Sequence, residues 1–219
     1  MNNTPMKQHR NTTQLYLIRH GATDANLKQP YVLQGQGVDM SLNSTGRNQA
    51  AALGRFLSDH SFSQIYCSPL RRACETAEAV STHHDVEVRP IDELAECDVG
   101  RWDGMDWDTI MREHPGAYRA FMDDPANNGY LDGESYGDVL RRARPIIADL
   151  LERHLGQSIA IVAHNIVNRV YLSSLLGLDL CQAKDIRQSN ACVNVIRHQN
   201  GETALITMNA FFHLDISLQ

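Results

Sequence analysis

The sequence predicts an α/β fold: a three-layer α/β/α sandwich on a mostly parallel central sheet, with an antiparallel edge strand. Three observations predict it. Short uncharged apolar runs, Leu15 to Ile18 and Ile159 to Ala163, read as strands buried on both faces. Stretches with apolar residues at helical spacing alternate with such runs along the chain. Near the end, Asn200-Gly201 joins two strand-like segments, Ala191 to Arg197 and Thr203 to Met208, as a hairpin turn.

Taken in order, residues 1–13 are polar, lack the apolar centre of a signal peptide, and read as a disordered N-terminal tail. The remaining residues, 14–219, are expected to form a single domain, since 219 residues suffice for one sizeable core and are short for two. The first strand stops abruptly at Arg19-His20-Gly21, where the glycine allows a sharp turn and a close approach to a ligand. Residues 24–44 are a long polar loop containing Gly35 and Gly37, of a length that is usually functional or mobile. Asn43, Ser44 and Thr45 are capping candidates for a helix carrying Ala50, Leu53 and Leu57. Gln64 to Ser68 is a second strand, which runs through Pro69, Leu70, Arg71 and Arg72 into a helix, and Val86 to Pro90 is a third.

Residues 97–133 differ from their surroundings. They hold Trp102 and Trp107, both tryptophans of the chain, with Tyr118, Phe121 and Tyr130, and they set eight acids against three arginines. Pro115 and Pro125 break the helical pieces, and the segment reads as a lid inserted over the sheet. Residues 134–155 form the longest helix, with Val139, Ala143, Ile146, Ile147 and Leu150 on one face; Pro145 inside it should kink it or start a new helix. The strand Ile159 to Ala163 ends at His164-Asn165, and a helix follows with Val167, Val170, Tyr171 and Leu175 at helical spacing.

Composition narrows the function classes. A formal net charge of −6 gives no support to nucleic acid or an anionic membrane as partner. Five cysteines without Cys-x-x-Cys spacing fit free thiols in a reducing compartment. No apolar run is long enough to span a bilayer, so a cytoplasmic location is the default expectation. Self-association is left open.

The chemistry lies at three strand ends: Arg19-His20, then Ser68 with Arg72 a turn later, then His164. In a parallel sheet these ends lie on one side, so residues distant in sequence converge. Arginine offers a planar fork matched to phosphate oxygens, and a neutral imidazole can attack phosphorus. Each piece also has a plain structural reading. Arg71 and Arg72 suit a solvated helix face, His164 suits a hydrogen-bonded core histidine, and the tandem His83-His84 suits a solvated loop better than a metal pair. No His, Asp or Glu spacing typical of metal ligands is present, so no metal or other cofactor is expected.

The stretch Leu17-Ile18-Arg19-His20-Gly21-Ala22-Thr23-Asp24-Ala25-Asn26 resembles the opening motif of the histidine phosphatase superfamily, which includes the cofactor-dependent phosphoglycerate mutases; Ala22 stands where an acid is usual. Ser68-Pro69-Leu70-x-Arg72-Ala73-x-x-Thr76-Ala77 is similar to the second motif and selects Arg72 over Arg71. Leu94-Ala95-Glu96, followed by Gly100-Arg101-Trp102-Asp103-Gly104, resembles the third, and Ile161-Val162-Ala163-His164 the fourth, with Asn165 in place of the usual Gly. Gly133-Glu134-Ser135 is similar to the start of the family's long helix. The motifs run in the family's order from Leu15 to Asn194.

The resemblance implies a phosphatase that hydrolyses a small phosphorylated metabolite. It makes His20 the nucleophile that becomes phosphohistidine and Glu96 the proton donor. Arg19, Arg72 and His164 hold the phosphoryl group, with Asn26 and Asn165 as further substrate contacts. Two alternatives stand beside it: phosphoryl transfer of the phosphoglycerate mutase type, and a non-catalytic protein that binds a phosphorylated ligand. A mutase needs a second anion site, normally from basic residues in the insertion. Residues 97–133 carry a net −5 and lack the family mutases' Arg-Arg pair and lysine, which favours the phosphatase.

Overall fold

The computed structural model describes residues 11–214. Its centre is a six-stranded sheet of β1 (Thr12–Arg19), β2 (Phe62–Cys67), β3 (Val88–Pro90), β4 (Ser158–Ala163), β5 (Val193–Gln199) and β6 (Glu202–Ala210), in spatial order β3-β2-β4-β1-β5-β6. The β3, β2, β4 and β1 strands are mutually parallel, while β5 runs antiparallel to β1 and carries β6 by the expected hairpin. At that turn Asn200 and Gly201 both have positive φ, 54° and 77°, as a tight primed turn requires. The first strand starts two residues earlier than the expected tail allowed. Thr12 and Thr13 pair with Gln199 and His198, and the buried Thr13 hydroxyl donates to Leu151 O at 2.7 Å. A polar residue joins a buried strand here because both its backbone and its side chain are satisfied. Residues 1–10 of that tail lie outside the described residues.

Each face of the sheet carries its own core. On one side Tyr16, Ile18, Ile65, Cys67, Ala160 and Val162 pack against α2 (Ser44–Leu57) and α3 (Arg71–Ser81). On the other, Leu15, Leu17, Ile159 and Ile161 pack against α6 (Tyr136–Arg153) and α7 (Asn165–Leu176). Successive strand residues point to opposite faces, which is why an uninterrupted apolar run serves both layers. The expected three-layer sandwich is the observed one. The polar loop after β1 contains one short helix, α1 (Asp24–Leu27), and α2 is capped by the Asn43 side chain, which accepts from Gly46 N at 2.8 Å.

The stretch read as a lid joins the second core rather than lying over it. Cys97, Val99, Trp102, Ile110, Phe121 and Tyr130 belong to the same buried cluster as Leu15 and Ile161, and Trp102 is fully buried. Its helices are short: α4 (Trp107–Glu113), capped by Asp106, and α5 (Pro115–Asp123), which opens on Pro115. Of the two outcomes expected at Pro145, a kink or a new helix, the second does not occur: α6 continues through Pro145 as one helix. Pro145 lies on the exposed face, where the helix can bow towards solvent and the freed carbonyl can meet water. All five cysteines are free thiols. No described helix is long and apolar enough to cross a membrane.

Candidate active site

His20, Ser68 and His164 each stand one residue past the end of β1, β2 and β4, three neighbouring parallel strands. The strand ladder continues through them: His20 N donates to Ala163 O at 3.1 Å and Ser68 N to Val162 O at 2.9 Å. The two imidazoles are thereby brought to 5.1 Å between ring centroids, inclined at 58°. Beyond His20 the chain must leave the sheet at once, and Gly21 permits it. A Cβ there would stand 2.6 Å from Gly46 O, and one on Gly46 would stand 2.0 Å from Ala22 O. The two glycines let the loop lie directly on the first turn of α2, so the close approach expected of Gly21 is to backbone.

The hydrogen bonds fix which ring atoms are free. The Nδ1 of His20 lies 2.6 Å from Gly21 O, so it carries the proton and Nε2 keeps its lone pair. Burial, then Arg72 and Arg19, hold this imidazole well below its usual pKa, and it is neutral at neutral pH. His164 is lowered in the same way by burial, Arg72, His20 and Arg19. Its Nε2 meets Ser68 Oγ at 2.7 Å, and its buried Nδ1 has no partner among the described residues.

Two guanidiniums flank the rings. Arg72, on the first turn of α3, is 1% exposed and donates to Gly35 O at 3.0 Å and Val38 O at 3.3 Å, with Asp39 at 3.8 Å. Arg19 donates to Gln188 O at 2.5 Å. The Nε atoms of both are buried without a partner among the described residues. Three unsatisfied nitrogens in one place, two certain donors and an imidazole, are costly unless an anion is taken there.

Glu96 is 4% exposed. Its carboxylate accepts from Cys97 N at 2.9 Å and from Ile166 N at 3.4 Å, on the first turn of α7. Arg142 holds the loop that carries it, donating to the carbonyls of Glu93, Ala95 and Glu96 at 2.7–3.0 Å and pairing with Glu134 at 2.7 Å. Of the two other expected contacts, Asn26 spends its carbonyl on Thr23 and Asn190, which leaves its amide nitrogen for the cavity above. Asn165 opens α7 and lines that cavity, and its Oδ1 is buried with no partner among the described residues. Its side chain therefore projects into the space that a glycine at this position would leave open.

The cavity holds about 640 Å³ and meets the cluster at Arg19, with Asn26 and Asn165 also on its border. Trp107, Tyr118, Phe121 and Tyr130 form an aromatic wall. Of the insertion's aromatic residues, Trp102 only packs; the other four line the cavity, and Phe121 and Tyr130 also belong to the buried cluster. Arg169, Lys184, Tyr31 and Asn190 also line it, and sequence reasoning missed all four. A signal existed only for Arg169, one helical turn beyond Asn165 and so on the same face of α7. His83-His84 lies far away, with His84 packed on Phe62 at the opposite end of β2. Among the described residues no group of three His, Cys, Asp or Glu side chains could hold a metal.

Comparisons with known proteins bear on the family and the fold. A family model described as the histidine phosphatase superfamily (branch 1) matches residues 15–210. Phosphoserine phosphatase 1 of Hydrogenobacter thermophilus is 30% identical over 201 residues, 91% of this chain and 93% of its own. Among solved structures, Bacillus stearothermophilus YhfR superposes with a TM-score of 0.85 at 29% identity, covering 92% of this chain and 98% of that one. The Entamoeba histolytica phosphoserine phosphatase in complex with 3-phosphoglyceric acid superposes with a TM-score of 0.80 at 25% identity, over 92% and 98%.

Proposed function

This chain belongs to the histidine phosphatase superfamily, and from that premise we propose that it hydrolyses a small phosphomonoester through a phosphohistidine on His20, with Glu96 as proton donor. It is a phosphoric monoester hydrolase of the histidine phosphatase type. The observation that carries the mechanism is the tie between His20 Nδ1–H and Gly21 O, which leaves Nε2 as the free base beside two guanidinium groups with buried, unpartnered Nε–H donors.

The phosphoryl oxygens take those donors and the Nδ1–H of His164. In that tautomer His164 Nε2 accepts the Ser68 hydroxyl proton at 2.7 Å, while the Ser68 oxygen accepts from Leu70 N at 3.2 Å. His20 Nε2 attacks phosphorus, the P–O ester bond breaks, and Glu96 gives its proton to the departing alkoxide. Glu96 then takes a proton from water as that water displaces phosphate from the imidazole. The cations already present meet the charge of the phosphoryl group through fixed hydrogen bonds, so no metal enters. Asn26 and Asn165 bound the place where the alcohol leaves.

The test is rapid mixing with a labelled phosphomonoester in excess EDTA, followed by trapping. Acid-labile, base-stable label should sit on His20 and vanish in His20→Ala together with turnover. Label kept in His20→Ala and lost in His164→Ala would reverse the two histidines. Activity lost in EDTA and restored by a divalent cation would overturn the metal-free site. The mutase alternative needs a second anion site, and one feature bears on it: the basic side chains of the cavity, Arg169 and Lys184, come from α7 and the 3-10 helix Leu180–Asp185, outside the acidic insertion.

A further inference from the structure

The cavity has two positive poles. One is Arg19, through which the cavity meets the buried strand-end cluster. The other is Arg169 and Lys184. The Nε of half-buried Arg169 is fixed on Ile186 O at 2.7 Å, which orients the guanidinium, and its terminal nitrogens have no hydrogen bond within the described residues. Neither Arg169 nor Lys184 has a carboxylate partner among the described residues, and no described Asp or Glu lines the cavity. The acids of the insertion are engaged elsewhere. Asp103 accepts from Gly35 N and Val38 N, Asp106 caps α4, and Asp98 accepts from Gly100 N. Glu113 and Asp132 pair with arginines of their own segment. In a chain of net charge −6, two unpaired cations facing one cavity are available to a ligand.

We propose that the leaving alcohol of the substrate carries a carboxylate, held by Arg169 with help from Lys184, so that the enzyme prefers phosphomonoesters of hydroxy acids. This rests on the phosphatase reading above. Burial and the number of fixed donors favour a carboxylate over a second phosphate. The strand-end pole meets a dianion with two arginines and two imidazoles in a buried site. The second pole has one half-buried guanidinium and one exposed lysine, a match for a single negative charge on a planar group. Asn165 Oδ1, buried without a donor, takes a hydroxyl or ammonium of the same molecule. Phosphoserine and 3-phosphoglyceric acid, the compounds that figure in the names of the similar proteins, are both phosphorylated acids.

Two substrate pairs differ only in the carboxylate: phosphoserine against phosphoethanolamine, and 3-phosphoglycerate against glycerol 3-phosphate. With the full chain, kcat/KM should favour the acid of each pair by about ten- to a hundredfold, the worth of a hydrogen-bonded ion pair shielded from bulk water. In Arg169→Met that ratio should fall towards one, mainly through KM. Arg169→Lys should keep part of it, and Lys184→Ala should reduce it only a few-fold because the side chain is exposed. Each ratio is measured within one variant, so a partly unfolded preparation does not move it. No acid preference in the wild type, or one unchanged by Arg169→Met, would overturn the proposal. So would an Arg169-dependent preference for 2,3-bisphosphoglycerate over 3-phosphoglycerate, which would make the pole a phosphate site. Hydrolysis of nitrophenyl phosphate separates the two levels. Turnover without acid preference removes this inference alone, and turnover of nothing removes the phosphatase reading as well.

Discussion

At the C-terminal ends of β1, β2 and β4, three side chains sit one residue past a strand, and backbone hydrogen bonds continue the sheet through two of them. On the cavity wall many of the side chains come from α4, α5, α7 and a 3-10 helix, and no sheet ladder runs through these elements. The first region places atoms to a fraction of an ångström by main-chain geometry, as phosphoryl transfer demands. The second offers area and charge, and it tolerates displacement. Substitution should therefore be sharp in its consequences at the strand ends and graded on the wall.

The largest expected effect tests the strand-end side. Glu96→Gln should slow release of an alkyl alcohol by about a hundred- to ten-thousand-fold, the range for loss of a general acid. Nitrophenolate leaves without a proton, so the nitrophenol burst should survive. The burst is the measurement to read, because the steady state still needs the base. Equal slowing of both leaving groups would move the role to Glu93 or Asp98 in the same loop.

A smaller effect asks whether the rigid region extends into α6. Arg142→Met removes the donor to three carbonyls of the Glu93–Glu96 stretch and takes the ion-pair partner from Glu134, 23% exposed, which keeps only the hydrogen bond from Asp98 N. The loss should be about 2–3 kcal/mol, read as a Tm lowered by about 5–10 °C. Because Arg142 acts through Glu96, alkyl phosphate turnover should suffer more than the nitrophenol burst. Equal losses for both would make Arg142 a structural tie only.

The smallest effect concerns pH. The folded-state pKa values of His20 and His164 are depressed below the unfolded value of about 6.5. The unfolded chain then binds more protons, so the stability these groups contribute is complete above about 6.5 and is lost as pH falls. Each group should contribute up to about 1.4 kcal/mol per pH unit. Tm measured from pH 7.5 to 5 should decline, and His164→Gln should flatten the decline relative to wild type. An unchanged slope in that variant would mean that His164 is not held neutral.

The same contrast explains what the sequence made legible. Arg19, His20 and His164 stand out because a buried strand has a plain signature and its end marks where a ligand can sit, whereas only the resemblance separates Arg72 from Arg71. Glu96 could be read only by resemblance: it lies in a loop whose hold comes from Arg142, on a helix far along the chain. Lys184 lies in a short 3-10 helix and Asn190 in a turn, segments too brief for a period to predict the direction of a side chain. The acidity of residues 97–133 was legible, but not its disposition. Composition cannot tell a helix cap or a backbone acceptor from a cavity lining, so the basic pole built from other segments stayed hidden. Thr12 and Thr13 were assigned to the tail because their polarity outweighed a pairing partner nearly two hundred residues away.

The continuation of the ladder through His20 and Ser68 also has a consequence in time. Amide protons held beyond the strand ends, in a buried site, can exchange with solvent only when the sheet itself opens. Those of α4 and α5, helices of 7 and 9 residues, can exchange by local fraying. The wall can therefore breathe many times while the strand ends stay assembled. In the two-stage reaction proposed above that ordering would be useful: the alcohol would escape past the moving side and water would enter by the same route. The phosphorylated imidazole would meanwhile stay on a scaffold that takes no part in the motion.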